Sequence, residues 1–147
     1  MNIQMTPQNP LEDIKVNIKL KLASLWASFM FLYGYVDYFA LYMPGNINGI
    51  LKGKVYLFEI TQSFIMAAIV ALTIPTLMIF ISVALPAKPN RIINIIVAII
   101  HIPYMLFNLA GEAWLHMYFA AALEVMLLCL IIRYAWKWPR IEQQKNL

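Results

Sequence analysis

The chain has 147 residues, 63% of them apolar and 12% charged, with a formal net charge of +4 and a mean hydropathy of +0.72. Soluble domains carry roughly 25% charged residues, so too few solvated side chains remain to coat a water-soluble globule, and the apolar, aromatic-rich composition excludes disorder. A lone cysteine, Cys129, leaves no disulfide within the chain and no cysteine-based metal cluster. The class that remains is an all-α integral membrane protein of one domain.

In chain order, the first feature is Asn9-Pro10-Leu11-Glu12, which has the form of a helix start: a cap, proline at the first position, and an acid three residues after the cap. Leu11, Ile14, Ile18, Leu22 and Leu25 follow at helical spacing, with Lys15 and Lys19 on another face. A short amphipathic N-terminal helix is therefore expected, lying on the lipid surface or continuous with the first span. The first long apolar run begins too far into the chain, and is too long, for the apolar region of a cleavable signal, so it reads as an uncleaved anchor.

About 20 apolar residues of helix cross a hydrocarbon core. Four stretches satisfy this: about 22–43, ending at Pro44-Gly45; about 57–85, ending at Pro86; about 92–110; and about 114–138, ending at Pro139. The second is long enough to tilt or to begin as an interfacial turn. All four are continuously apolar, unlike the alternating strands of a membrane barrel. The expected architecture is a four-helix transmembrane bundle. Pro75 and Pro103 lie inside the second and third spans, where a missing backbone donor predicts a kink.

Basic residues orient such a bundle. Lys15, Lys19, Lys21, Lys88, Arg91, Arg133, Lys137, Arg140 and Lys145 fall on one side, and only Lys52 and Lys54 on the other. Both termini are expected in the cytoplasm. These residues flank apolar spans rather than paving a solvated face, so nucleic acid is not an expected partner. The expected partners are the bilayer and either further copies of the chain or another membrane protein.

Ionisable groups inside a membrane are costly and mark functional sites. His101 lies ten residues past Arg91 and Glu124 ten past Trp114, so both sit near the midplane at about 1.5 Å per residue. Such a pair can relay a proton, bind a cation or an amine, or fix the register of two helices. Asn94, His101 and Asn108 recur every seven residues, with Tyr104 beside them. Glu59, Gln62, Met66, Ile69, Thr73, Thr76 and Phe80 form one face of the second span. Ala27, Gly34 and Asp37 share a face of the first, and Ala113, Ala120, Ala121 and Glu124 one of the fourth. Stripes of this kind either glue helices together or line a polar interior. Asp37, Glu59 and Gln62, with Glu112 and His116, are expected to form an acidic vestibule at the outer side. The tyrosines there also fit an interfacial belt, as do Trp136 and Trp138.

No cofactor is expected. Only two histidines are present, at different depths, a thiol enzyme needs a cysteine pair, and Ser24, Ser28 and Ser82 lie away from His101. A zinc site would have to draw on His101, Glu124 and a third ligand that the sequence does not identify. The leading functional expectation is small-molecule or ion transport or binding, proton coupling included, with a path between protomers of an oligomer. The competing expectation is an accessory or membrane-organising subunit that binds a protein partner or anionic lipid. A membrane enzyme acting on lipids or quinones ranks below both.

Leu25-Trp26-Ala27-Ser28, the run Tyr35-Val36-Asp37-Tyr38-Phe39-Ala40-Leu41-Tyr42 with Pro44-Gly45, and Tyr134-Ala135-Trp136-Lys137-Trp138-Pro139 resemble an uncharacterised bacterial family of small four-span inner-membrane proteins. The likeness runs from about Leu11 to Pro139. It implies a multi-pass protein of the bacterial inner membrane and supplies no activity or site residue.

Overall fold

A computed structural model describes residues 14–109 and 114–139. The expected cap at Asn9 to Glu12, the turn with Gly111, Glu112 and Ala113, and Arg140 and Lys145 lie outside the described residues. Within them the chain forms α1 (Ile18–Ala40), α2 (Asn46–Leu51), β1 (Lys54–Val55), β2 (Phe58–Glu59), α3 (Gln62–Ala84), α4 (Ala87–Phe107) and α5 (Leu115–Trp136). Of these, α3, α4 and α5 are long and apolar enough to cross a membrane. α1 matches them in length, but its serines, tyrosines and Asp37 lower its apolar content.

The boundaries differ from the sequence expectation at several points. Helix does not extend back through Ile14 to Asn17: the chain is irregular there, and α1 starts at Ile18. Asn17 is the cause, since its extended backbone lets the side chain accept the Lys19 N–H at 2.9 Å. The amphipathic spacing that begins at Leu11 therefore does not form one helix running into the first span. The second span begins at Gln62 rather than near Leu57, because residues 54–59 fold into a small antiparallel hairpin that pairs Lys54 with Glu59 and Val55 with Phe58. The third begins five residues earlier than expected, at Ala87, after Pro86 stops the preceding helix. Helix continues through both Pro75 and Pro103.

The four long helices pack as a ring, with α1 against α3 and α5, α5 against α4, and a narrower contact between α3 and α4. α1 and α3 are antiparallel, since Lys19 near the start of α1 donates to the Val83 carbonyl near the end of α3 at 3.2 Å. Lys21 lies over the Tyr134 ring and Arg91 over the Trp136 ring, both at 5.6 Å, which sets the last turn of α5 beside the first turns of α1 and α4. Lys19, Lys21, Lys88, Arg91, Arg133 and Lys137 thus share one end. The other end carries α2, the hairpin, Asp37 and Glu59.

The space between the helices is filled by Leu22, Trp26, Phe29, Met78, Met105 and Leu128. Near the basic end a polar knot interrupts these apolar contacts. Asn94 Oδ1 accepts from Trp26 Nε1 at 2.7 Å and from Ser82 Oγ at 3.1 Å. Its Nδ2 donates to the Asn90 carbonyl at 2.9 Å and to Asn90 Oδ1 at 2.7 Å. Asn90 Nδ2 in turn donates to the Ser82 carbonyl at 2.7 Å and the Leu85 carbonyl at 3.2 Å. One amide therefore ties α1, α3 and α4 with its hydrogen-bonding capacity filled. Replacing Asn94 with Ala strands the Trp26 N–H, the Ser82 hydroxyl and Asn90 Oδ1 together. The expected loss is about 3 kcal/mol, at about 1 kcal/mol or more per stranded group, read as a lowered unfolding midpoint in detergent micelles; an unchanged midpoint would remove the knot from the stability of the fold.

Candidate functional site

Toward the middle of the packed helices, His101 and Glu124 are both buried, at 5% and 4% exposure. Each sits on the inward stripe of its helix: Asn94, Ala98, His101 and Met105 on α4, and Met117, Ala120, Ala121, Glu124 and Leu128 on α5. The cation–π contacts fix the register. Counting ten residues from Tyr134 to Glu124 and ten from Lys21 to Phe31 sets Glu124 level with the stretch between Phe29 and Tyr33, at about 1.5 Å per residue. The same counting from Arg91 and Trp136 sets it between His101 and Tyr104.

The His101 ring is enclosed by aromatics. Its centroid lies 6.1 Å from Trp26, 6.2 Å from Phe29 and 6.2 Å from Tyr104, each in an edge-on arrangement. His101 Nδ1 lies 2.8 Å from the Val97 carbonyl. A carbonyl only accepts, so Nδ1 is the donor, and Nε2 has no hydrogen-bond partner among the described residues. One turn further along α4, the Tyr104 and Tyr33 hydroxyls meet at 3.4 Å across the space between α4 and α1.

Glu124 has a different environment. Its Oε1 is buried and has no hydrogen-bond partner among the described residues, and no hydrogen bond or ion pair joins it to His101. The flanking Ala120 and Ala121 offer it no polar side chain. A carboxyl oxygen left in this state costs about 1 to 3 kcal/mol, which packing alone gives no reason to retain.

The remaining sequence candidates lie toward the end of the helices away from the basic residues. Tyr104 lies beside His101 and meets Tyr33. Asn108 caps α4 and is exposed, and Asp37, one turn beyond Tyr33, is exposed near the end of α1. Glu59 lies on β2 and Gln62 opens α3, both exposed. Gln62 lines an open groove of about 360 Å³ with Ile60, Thr61, Ile65, Met66 and Ile69.

The face of α3 that runs from Gln62 through Met66, Ile69, Thr73 and Thr76 to Phe80 points away from the other helices, and the side that packs inward is Pro75, Met78 and Ser82. Thr73 and Thr76 satisfy themselves by donating to Ile69 and Leu72 carbonyls, both at 2.8 Å. A polar interior lined by all four stripes is therefore not formed within one chain. Gly34 likewise faces open space, with nothing within 4 Å of the position of a Cβ, so it permits no close helix approach here. The inward residues of α1 are instead Leu22, Trp26, Phe29 and Tyr33.

Asn90 is the buried polar residue that the seven-residue spacing missed. Its signal is the four-residue step to Asn94, which places two amides on one helix face. Among the described residues no group of three or more His, Cys, Asp or Glu could hold a metal ion.

Three long apolar helices, ionisable groups buried among them, and basic residues gathered at one end define a helical membrane protein. The chain belongs to the family of unknown function DUF6326, whose model matches residues 12–145. No curated protein and no solved structure matches it.

Opposite stability effects are expected at the two central residues. Glu124→Leu relieves an unpartnered oxygen and should raise the unfolding midpoint, by about 1 kcal/mol or more. His101→Ala empties the space between three aromatic rings and should lower it by about 2 to 4 kcal/mol. Thermal unfolding in detergent checks both. A stability loss in Glu124→Leu as large as that in His101→Ala would make Glu124 a packing residue.

Proposed function

We propose that this protein is a four-span bundle of the bacterial inner membrane, with both termini in the cytoplasm, that binds or transports a small cation or protonated solute. The observation that carries the reading is the Glu124 carboxyl, buried at mid-span with one oxygen unpartnered. Intramembrane carboxyls in such positions serve proton and cation handling. In this reading Glu124 is the protonatable acid, and His101 Nε2 is the second proton acceptor at the same depth. The Tyr33–Tyr104 hydroxyl pair leads from them toward the end where Asp37 is exposed and able to attract cations.

Trp26 and Phe29 fill the centre of a single bundle. A path for anything larger than a proton is therefore better supported between protomers, along the outward-facing stripe of α3. That same stripe favours the second reading, a non-catalytic accessory subunit whose α3 packs on a membrane partner, because only Pro75, Met78 and Ser82 of α3 are fully buried among the described residues.

The orientation is checked with cysteines placed in a Cys129→Ser background. In intact spheroplasts an impermeant maleimide should label Lys52→Cys, and should label Lys88→Cys only after permeabilisation. The function is checked in proteoliposomes holding a pH-sensitive dye, with a potassium diffusion potential driving proton flux. Glu124→Gln should abolish the flux, and His101→Ala and Asp37→Asn should reduce it. Flux that is the same in all three variants as in the parent would overturn the ion-handling reading in favour of the accessory one.

A further inference from the structure

Between α1 and α3 the chain makes a 21-residue excursion, residues 41–61, that contains α2 and the hairpin and that the ion-handling reading does not use. It is a folded unit seated on the helix ends. Asn46 Nδ2 donates to the Ala40 carbonyl at 2.7 Å, the Ile60 N–H bonds the Gly53 carbonyl at 2.8 Å, and Phe58 stacks on Phe64 at 5.9 Å and meets Phe107 at 6.4 Å. Gly45 and Gly53 occupy left-handed backbone at φ 90° and 74°, which lets α2 turn out of α1 and then into β1.

Met43 is buried, but most of the cap's large apolar side chains face outward. α2 buries none of its residues, Ile47 and Ile50 are exposed, and Leu51 is 79% exposed. At the hairpin tip Leu57 is 86% exposed, and it is held there by Tyr56, a non-glycine residue at φ 50°. That conformation costs a non-glycine residue about 1 kcal/mol. Large apolar side chains exposed on one cap are an aggregation hazard in water. Beside it stand Lys52 and Lys54, the two lysines at the opposite end from the basic cluster, and Glu59 is the only acid among residues 41–61.

We propose that the cap is an interfacial lipid-binding element, with Leu51 and Leu57 immersed at the acyl boundary of the adjoining leaflet and Lys52 and Lys54 on its phosphates. Apolar side chains set beside lysines, on a segment whose two ends lead directly into long helices, match the layered chemistry of a phospholipid surface. In that layer hydrocarbon lies a few ångströms beneath anionic phosphate. A soluble acidic partner would pair with the lysines but leave Leu51 and Leu57 uncovered. This inference needs the chain to span the membrane and does not depend on the role of Glu124.

The test uses the full chain with Cys129→Ser, reconstituted in vesicles of phosphatidylethanolamine and phosphatidylglycerol, and nitroxide labels at Leu51→Cys, Leu57→Cys and Lys54→Cys. Collision with dissolved oxygen and with a water-soluble nickel chelate reads depth. The labels at 51 and 57 should lie about 5 to 10 Å below the phosphates, with that at 54 at phosphate level. Lys52→Gln combined with Lys54→Gln should make the label at 57 shallower in these vesicles and leave its depth unchanged in pure phosphatidylcholine. Because the labelled sites are exposed, the fold is preserved, and the label mobility of an additional Phe39→Cys control reports it. If the label at 57 met the nickel chelate as freely as the same label on glutathione does, the cap would stand in water and the proposal would fail. Shielding of that label from both reagents would place the cap against protein and would equally overturn it.

Discussion

The hydrogen bond from Trp26 to Asn94, and the amide knot around it, is the constraint on which the rest of the arrangement depends. Inside a bilayer, lipid tails are as apolar as leucine, so the hydrophobic effect gives little preference for one helix register over another. A buried amide is different, because one step of slippage leaves several polar groups without partners. Asn94 accepts from α1 and α3 and donates within α4, so three helices are locked in depth and rotation at one point. From that point, seven residues along α1 and seven along α4 reach Tyr33 and His101, so His101 is enclosed between Trp26 and Phe29, and the Tyr33 hydroxyl meets that of Tyr104.

The two buried polar regions are opposite in kind. Near the basic end every amide proton and oxygen of Asn94 is used. At mid-span Glu124 leaves an oxygen unused, and the His101 ring turns Nδ1 to its own helix, leaving Nε2 without a hydrogen-bond partner among the described residues. Saturated hydrogen bonding rigidifies a site, and unused capacity is what a transferable proton or bound cation requires. That contrast gives the functional reading more weight at Glu124 than at Asn94, although both are polar groups in an apolar environment. It also distinguishes the two regions by what their removal does: the amide knot supports the fold, whereas Glu124 burdens it.

The hairpin at residues 54–59 shows why one boundary was not legible. Val55, Tyr56, Leu57 and Phe58 read as the apolar start of a span, because composition does not distinguish a lipid-facing hairpin from a helix end. The same ambiguity affected the polar stripe of α3. Its three-and-four spacing correctly identified one helix face, but spacing cannot say which neighbour a face meets. Thr73 and Thr76 could turn outward because each hydroxyl is satisfied on its own backbone. At the start of α1, Asn17 ended an amphipathic pattern by capping, a local choice that the longer periodicity concealed.

What the sequence determined by itself was the solvent of this protein and the residues that solvent makes expensive. Its charge is too sparse for water, its apolar runs are long enough for helices to cross a bilayer, and His101 and Glu124 stand out because ionisable groups there are costly. The Pro86 stop and the gathering of basic residues follow from short-range chemistry. Only the tertiary structure decided that Asn90, Asn94, Ser82 and Trp26 form one knot, that the α3 stripe faces outward, and that Glu124 is buried without a partner. Each of these depends on how helices rotate against one another. That rotation is set by a few hydrogen bonds between residues 12 to 71 positions apart, which no local periodicity encodes.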